Sequence, residues 1–177
     1  MATARTGGRP SGARRARAAD GLRVVLVDGL GRPVAVRGLA AWLTRVAPST
    51  ARGVMTLALA SDRQVRRLNR RHRGVDRTTD VLSFGSPLGR RGRNNAASAP
   101  VAADRLLGEV VIARGAAKRQ AKTAGHAYAV ELRVLALHGL LHLMGFDHAR
   151  DDGRMARTER HLRRKGGLGA GLIERSA

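Results

Sequence analysis

The chain has 177 residues and a formal net charge of +21, from 34 Lys and Arg against 13 Asp and Glu, and it contains no cysteine. That length predicts one domain with room for a proper core. The missing cysteines exclude disulfides, thiolate metal sites and cysteine nucleophiles, and fit a reducing compartment; no apolar run approaches the ~20 residues needed to cross a bilayer. The charge points to a polyanionic partner, of which nucleic acid is the usual one. All the basic residues except Lys118, Lys122 and Lys165 are Arg, however, and Ala and Gly are abundant, which is also the composition of a GC-rich genome. Charge supports a nucleic-acid partner without assigning it.

The first nineteen residues hold five Arg and no acid, with Gly7, Gly8, Pro10 and Gly12 among them. Residues 1–20 are therefore expected to form a disordered basic arm. An organelle transit peptide has a similar composition, but the arm is the preferred reading. Leu22 to Val27 is a β-branched run closed by Asp28-Gly29, a strand and a turn. Val36 to Val46 has helical spacing, with Leu39, Trp42, Leu43 and Val46 on one face. Val54 to Ala60 predicts a second strand. Ser61 then caps a helix that turns Val65 and Leu68 inward and carries Arg66, Arg67, Arg70 and Arg71 around it.

Thr79 to Phe84 predicts a third strand. Residues 86–105, rich in Gly, Arg, Asn, Ser and Pro, predict a mobile loop. Leu106 to Ile112 is a fourth strand, interrupted at Gly108-Glu109. Arg114 to Thr123 is a helix that Gly125 breaks, and Ala127 to Met144 is a long apolar helix. Asp151 to Lys165 predicts a basic terminal helix, and residues 166–177 a flexible tail. The order of elements predicts an α+β fold over residues 21–165: a single domain with a small mixed four-stranded sheet packed with helices, and a metal-binding helix-turn near the C-terminus.

That helix-turn carries the most informative residues, His138-Gly139-Leu140-Leu141-His142-Leu143-Met144-Gly145-Phe146-Asp147-His148. His138 and His142 are one helical turn apart on one face. Gly145 can end the helix in a left-handed cap, after which the chain can return His148 to the same point. Three converging imidazoles leave a metal position open, as in a catalytic zinc site. The His and Gly positions match the metzincin protease motif H-E-x-x-H-x-x-G-x-x-H. The protease needs its Glu as general base, and Gly139 stands there. The pattern predicts a tri-His metal site that is not an ordinary protease site.

Two further blocks accompany it: Leu68-Asn69-Arg70-Arg71-His72-Arg73 leading into Thr78-Thr79-Asp80-Val81-Leu82-Ser83-Phe84, and Leu107-Gly108-Glu109-Val110-Val111-Ile112. With His138 to His148 they resemble the YbeY family of bacterial endoribonucleases, or rRNA maturation factors, from about Leu22 to Arg164. His72 stands where the family commonly has Tyr, Thr78 and Gly85 where it often has Pro, and Glu109 where Asp is more usual. None of these positions is a metal ligand. The resemblance implies a cytoplasmic, metal-dependent endoribonuclease specific for single-stranded RNA. It would act on ribosomal RNA and the small ribosomal subunit, in 16S rRNA 3′-end maturation and ribosome quality control. It implies one zinc ion per chain on His138, His142 and His148, and a catalytic role for Arg73.

The residues themselves add detail. A tri-His ion can polarise a phosphoryl oxygen and acidify water, and the planar fork of Arg73 suits a phosphate whose charge grows in the transition state. Asp147 is expected to orient an imidazole or to brace its turn, and Asp80 to fix the loop before the third strand. Arg66, Arg70, Arg71 and His72 are candidate RNA contacts. Glu131 is expected to be a helix-face charge, His126 a residue of the helix start, His161 a surface residue and Ser83 a packing or hydrogen-bonding residue. With only Trp42, Phe84, Tyr128 and Phe146 as aromatics, base stacking is not expected to dominate binding. Two other readings stay open here: another metallohydrolase, such as a protease, and a non-catalytic RNA- or ribosome-binding factor with a structural metal.

Overall fold

A four-stranded sheet in the order β1-β2-β4-β3 organises the chain. The structure is a computed structural model that describes residues 21–86, 106–148 and 150–169. The expected arm over 1–20, nearly all of the expected loop over 86–105 and residues 170–177 of the expected tail lie outside those residues. The strands are β1 (Leu22–Asp28), β2 (Gly53–Ala60), β3 (Val81–Gly85) and β4 (Leu106–Ala113). The helices are α1 (Leu39–Val46), α2 (Asp62–Arg73), α3 (Arg114–Thr123), α4 (Tyr128–Leu143) and α5 (Arg154–Lys165). β1, β2 and β4 are parallel, and β3 lies antiparallel to β4 at the edge of the sheet. The mixed α+β architecture expected from the order of elements is the one observed.

Alternation along the strands divides the core in two. Met55, Leu57 and Leu59 of β2, with Val110 and Ile112 of β4, join the core that holds α1, α4 and α5. Ala58, Ala60, Val111 and Leu82 form a thinner layer on the other face, under Val65 and Leu68 of α2. Small side chains on that face suit the arginine-rich α2, which has few apolar residues to offer.

Local chemistry sets the element ends. Ser61 and Gln64 form the reciprocal capping box of α2: the Ser61 hydroxyl accepts from Gln64 N–H, and the Gln64 amide oxygen accepts from Ser61 N–H at 2.9 Å. β3 begins two residues later than the periodicity predicts, because Asp80 turns its carboxylate to its neighbours. That carboxylate accepts from Val81 N–H and from the Thr79 hydroxyl, and Gln120 of α3 donates to its other oxygen. The expected structural role of Asp80 fits this geometry. α5 begins at Arg154 rather than Asp151, after Asp152 and Gly153 take left-handed backbone angles; the Asp151 carboxylate accepts from Met155 N–H. β4 is continuous rather than interrupted. The strain at Gly108 appears instead as a shift in its register against β2.

α4 is apolar all round, and such a helix belongs in a core rather than on a surface. Leu132, Leu135, Leu137, Leu140 and Leu141 are essentially inaccessible to solvent. Each such burial contributes roughly 1.5–3 kcal/mol, enough to hold the helix without side-chain caps. Glu131 corrects the sequence expectation. It is fully buried in the first turn of α4, with one carboxylate oxygen 3.1 Å from His126 Nε2. A position packed as deeply as this one has no place for a solvated charge. The imidazole and the positive end of the helix dipole offer it partners instead.

α4 comes close against the sheet at Gly139. A Cβ there would lie 2.5 Å from Val110 Cγ1 and 3.2 Å from Ser83 Oγ. Ser83 donates a hydrogen bond to the Gly139 carbonyl at 3.3 Å, which tethers β3 to the middle of α4. Gly139→Ala is expected to lower the unfolding free energy by roughly 1–3 kcal/mol in urea titrations, as overpacking does. Val110→Ala in the same chain should return part of that loss, so the double variant is less destabilised than the sum of the singles. Additive losses would show that the contact is not the source.

Candidate metal centre

α4 breaks at the point where its histidines need a return of the chain. Gly145 adopts φ 88°, its N–H bonds to the His142 carbonyl, and Phe146 N–H bonds to the Leu141 carbonyl at 3.1 Å. This paired pattern is a Schellman cap, which glycine adopts without strain. It folds His148 back over the end of the helix. One ring nitrogen from each of His138, His142 and His148 lies within 4.8 Å of the others. The ring centroids are 4.7, 5.3 and 5.9 Å apart. The convergence expected from the spacing is present.

Two hydrogen bonds orient the inner pair. His142 Nδ1–H donates to the Phe146 carbonyl at 3.1 Å, so the same cap that returns the chain also fixes a ligand ring. His138 Nδ1–H donates to Glu159 Oε2 of α5 at 3.3 Å. With both Nδ1 atoms committed as donors, both Nε2 atoms carry lone pairs, and they face each other at 3.1 Å. Two facing lone pairs repel; a cation between them removes the conflict. Three neutral imidazoles at this spacing fit a divalent metal. Zinc–nitrogen bonds of ~2.0–2.1 Å at a tetrahedral angle place ligand nitrogens roughly 3.4 Å apart. The exposed His148, on a turn rather than a helix, is the ring with freedom to close in.

The electrostatics favour the ligand form. Burial, then the neighbouring His138 and His148, hold the His142 pKa below the usual histidine value, against the opposing pull of the Phe146 carbonyl and Asp147. Its ring is thus neutral near pH 7. Burial pushes Glu159 up, but the hydrogen bond from His138 and the charge of Arg163 outweigh it and hold its carboxyl below the usual range. Glu159 accepts from Arg163 Nη2 one turn along α5, and both residues are buried.

The remaining candidate residues fall into two groups. Asp147 Oδ1 is 3.8 Å from His148 Nδ1, beyond hydrogen-bond length, and is half exposed. Arg73 is the last residue of α2 and is exposed, followed by Gly74 in the left-handed conformation. The adjoining His72 ring stacks edge-on against Phe84 of β3, with centroids 5.0 Å apart. α2 and α4 cover opposite faces of the sheet, but both lie over its β3 edge, and Ser83 of that strand bonds α4. The Arg66 guanidinium is gripped at both ends by Asp76, at 2.8 and 2.9 Å, whereas Arg70 and Arg71 extend into solvent. Ser83 bonds as expected, and His161 is exposed. Glu159 was not singled out from the sequence, because nothing in the spacing links it to a histidine twenty-one residues away.

The protease alternative loses its footing at Gly139. The position where a metzincin carries its general base is pressed against Val110 and Ser83, and admits not even a Cβ. No helix among the described residues is long and apolar enough to cross a membrane.

Comparison with known proteins agrees with the motif blocks. The family model described as Endoribonuclease YbeY matches residues 37–166. A relative from Solibacter usitatus, named Endoribonuclease YbeY, is 44% identical over 117 residues, covering 66% of this chain and 69% of that protein. Another of that name, from Koribacter versatilis, is 38% identical over 144 residues, covering 81% and 85%. A solution structure from Thermotoga maritima aligns with 85% of this chain and 96% of its own, at 17% identity and a TM-score of 0.46.

Cobalt(II) titrated into metal-free protein is expected to saturate its visible absorption at about one equivalent per chain. His142→Ala should abolish that band while leaving the far-ultraviolet dichroism of the fold. Affinity should fall with pH, since a protonated imidazole cannot ligate. Because the His142 pKa is lowered, its share of that fall comes at lower pH than for a free imidazole. Undiminished binding by His142→Ala would remove the site.

Proposed function

The chain belongs to the endoribonuclease YbeY family, and on that premise we propose that it is a zinc-dependent hydrolase that cleaves single-stranded RNA internally. Its substrate in this reading is ribosomal RNA on the small ribosomal subunit. The work it does there is rRNA processing, notably maturation of the 16S rRNA 3′ end, together with ribosome quality control. The observation that carries the reading is the convergence of His138, His142 and His148 on one point at the open end of a buried helix. Imidazoles suit several transition metals, and zinc is the member that stays redox-inert while binding three nitrogens in a tetrahedral set.

A bound ion of this kind supplies positive charge that polarises a phosphoryl oxygen and acidifies water. The chain's own residues do the rest. His138 and His142 are locked by Glu159 and by the Phe146 carbonyl, so no ordering is needed when substrate arrives. His148 stands at the exposed side, where an RNA strand approaches. Arg73 projects from the end of α2 with no ion pair among the described residues, and its guanidinium is free to grip a phosphate at two points. Arg70 and Arg71, one turn before it or less, extend the positive track for the backbone. Arg66 contributes less, because Asp76 already holds it. Phosphoryl transfer needs positioning and charge more than covalent help, which suits a site with no evident nucleophilic side chain.

Labelled single-stranded RNA and the matching duplex, incubated with zinc-loaded protein, test the reading. Cleavage is expected for the single strand and not for the duplex. Arg73→Ala is expected to lower kcat by roughly 10²–10³-fold, as the loss of one preorganised donor does, with metal content unchanged. RNA that binds but is never cut, by protein holding one zinc, would shift the assignment to a non-catalytic binding factor.

A further inference from the structure

Glu159 is a buried carboxylate that the sequence reading did not use. It sits in the second turn of α5, 8% exposed, between two partners. Oε2 faces His138 Nδ1 at 3.3 Å, and Oε1 takes the Arg163 guanidinium. Arg163 is 9% exposed. The three groups form a row that runs from the open end of α4 into the packing of α5.

We propose that Glu159 is the positioning residue of this metal centre: held by Arg163, it fixes the His138 ring with Nε2 turned to the ion and strengthens that nitrogen as a donor, so that metal loading also clamps α5 onto α4. The proposal rests on the reading that the triad holds a metal. Three observations carry it. First, the hydrogen bond uses the nitrogen that does not face the other histidines, so it commits His138 to the tautomer a metal requires. Second, a buried ion pair alone is a weak stabiliser, and apolar residues would serve packing as well or better. A carboxylate that also receives an imidazole N–H, next to a metal-binding cluster, has a use beyond packing. Third, Arg163 occupies the oxygen that His138 does not, which keeps the carboxylate from swinging over to become a ligand itself.

The other two rings lack this arrangement. His142 is held by a main-chain carbonyl, and the half-exposed Asp147 carboxylate lies 3.8 Å from His148 Nδ1, beyond hydrogen-bond length. α5 is otherwise joined to the core by Met155 and Leu162, and the chain just after it by the bond from Trp42 Nε1 to the Gly166 carbonyl at 2.8 Å. A metal pulling on His138 would therefore be felt through Glu159 along the helix.

The test is zinc affinity of the purified full-length chain, measured by competition with a chromophoric chelator, for wild type, Glu159→Gln and Asp147→Asn. Glu159→Gln keeps the volume and removes the charge; it is expected to weaken zinc roughly 10–100-fold and to shift the visible band of the cobalt-loaded protein. Asp147→Asn is expected to weaken zinc less than Glu159→Gln does. A Glu159→Gln chain that melts earlier without metal but binds zinc as wild type does would make the residue merely structural and overturn the proposal, as would the reverse order of the two variants. Hydrogen exchange on wild type needs no variant to fold: zinc should slow amide exchange across Arg154–Lys165, and unchanged exchange there also overturns it. Wild type that binds no zinc at all removes the metal reading itself, an outcome distinct from these.

Discussion

The seating of α4 against the sheet is the constraint on which the rest depends. The helix is enclosed by sheet, α1, α3 and α5, and its polar groups other than Arg133 lie toward its two ends. Glu131 occupies the first turn, and His138 and His142 the last two. Where the helix comes close against the strands, at Gly139, backbone and Val110 meet with no side chain between. That contact fixes the helix along its axis and in its rotation. It thereby fixes both histidines relative to β3 and β4, to within the tolerance of a well-packed core. A metal site needs such a support, since ligand geometry is held by packing and not by the metal alone.

The edge strand β3 gives the site its second side. α2 lies on the opposite face from α4, yet the two faces meet where the sheet ends. Phe84 turns to α2 and touches His72, while the next residue inward, Ser83, turns to α4 and bonds Gly139. Alternation along one short strand thus links the arginine-rich end of α2 with the histidine end of α4. Gly85 and Gly108 oppose each other at that end of the ladder, and Gly108 adopts φ 150° where a Cβ would strike the Phe84 carbonyl and Leu143.

What could be read from the chain alone follows from how local each feature is. The strand runs, the Ser61 cap, the four-residue histidine spacing and the Gly145 cap all act within a few residues, and the structure contains each of them. Features made by distant segments were not legible. Glu159 belongs to a helix whose rotation against α4 is set by the core, so its approach to His138 has no sequence signal. Arg66 looks identical to Arg70 and Arg71 until Asp76 returns beside it. Glu131 was misjudged for a different reason. Its helical position places it on the His138 face, which the packing buries at Glu131. The near-continuous apolar run from Leu132 to Leu143 already argued for a helix without a wet side.

The proposed metal raises a question that the histidines alone do not answer, namely how a chain of net charge +21 would hold a divalent cation. Four of its thirteen acids, Asp147, Asp151, Asp152 and Glu159, fall within the thirteen residues that begin just before the last ligand. Screening in physiological salt acts over about 8 Å, so an ion on the triad would be influenced by the groups beside it, Asp147 and Glu159 with their partners Arg150 and Arg163, more than by arginines on remote surfaces. Glu159 is the buried one of those two carboxylates, where screening is least, though Arg163 offsets its charge. That arrangement separates the two electrostatic tasks. In the proposed reading, the arginines of α2 gather a polyanion, and the carboxylates beside the triad, Asp147 and Glu159, lessen its repulsion of the metal.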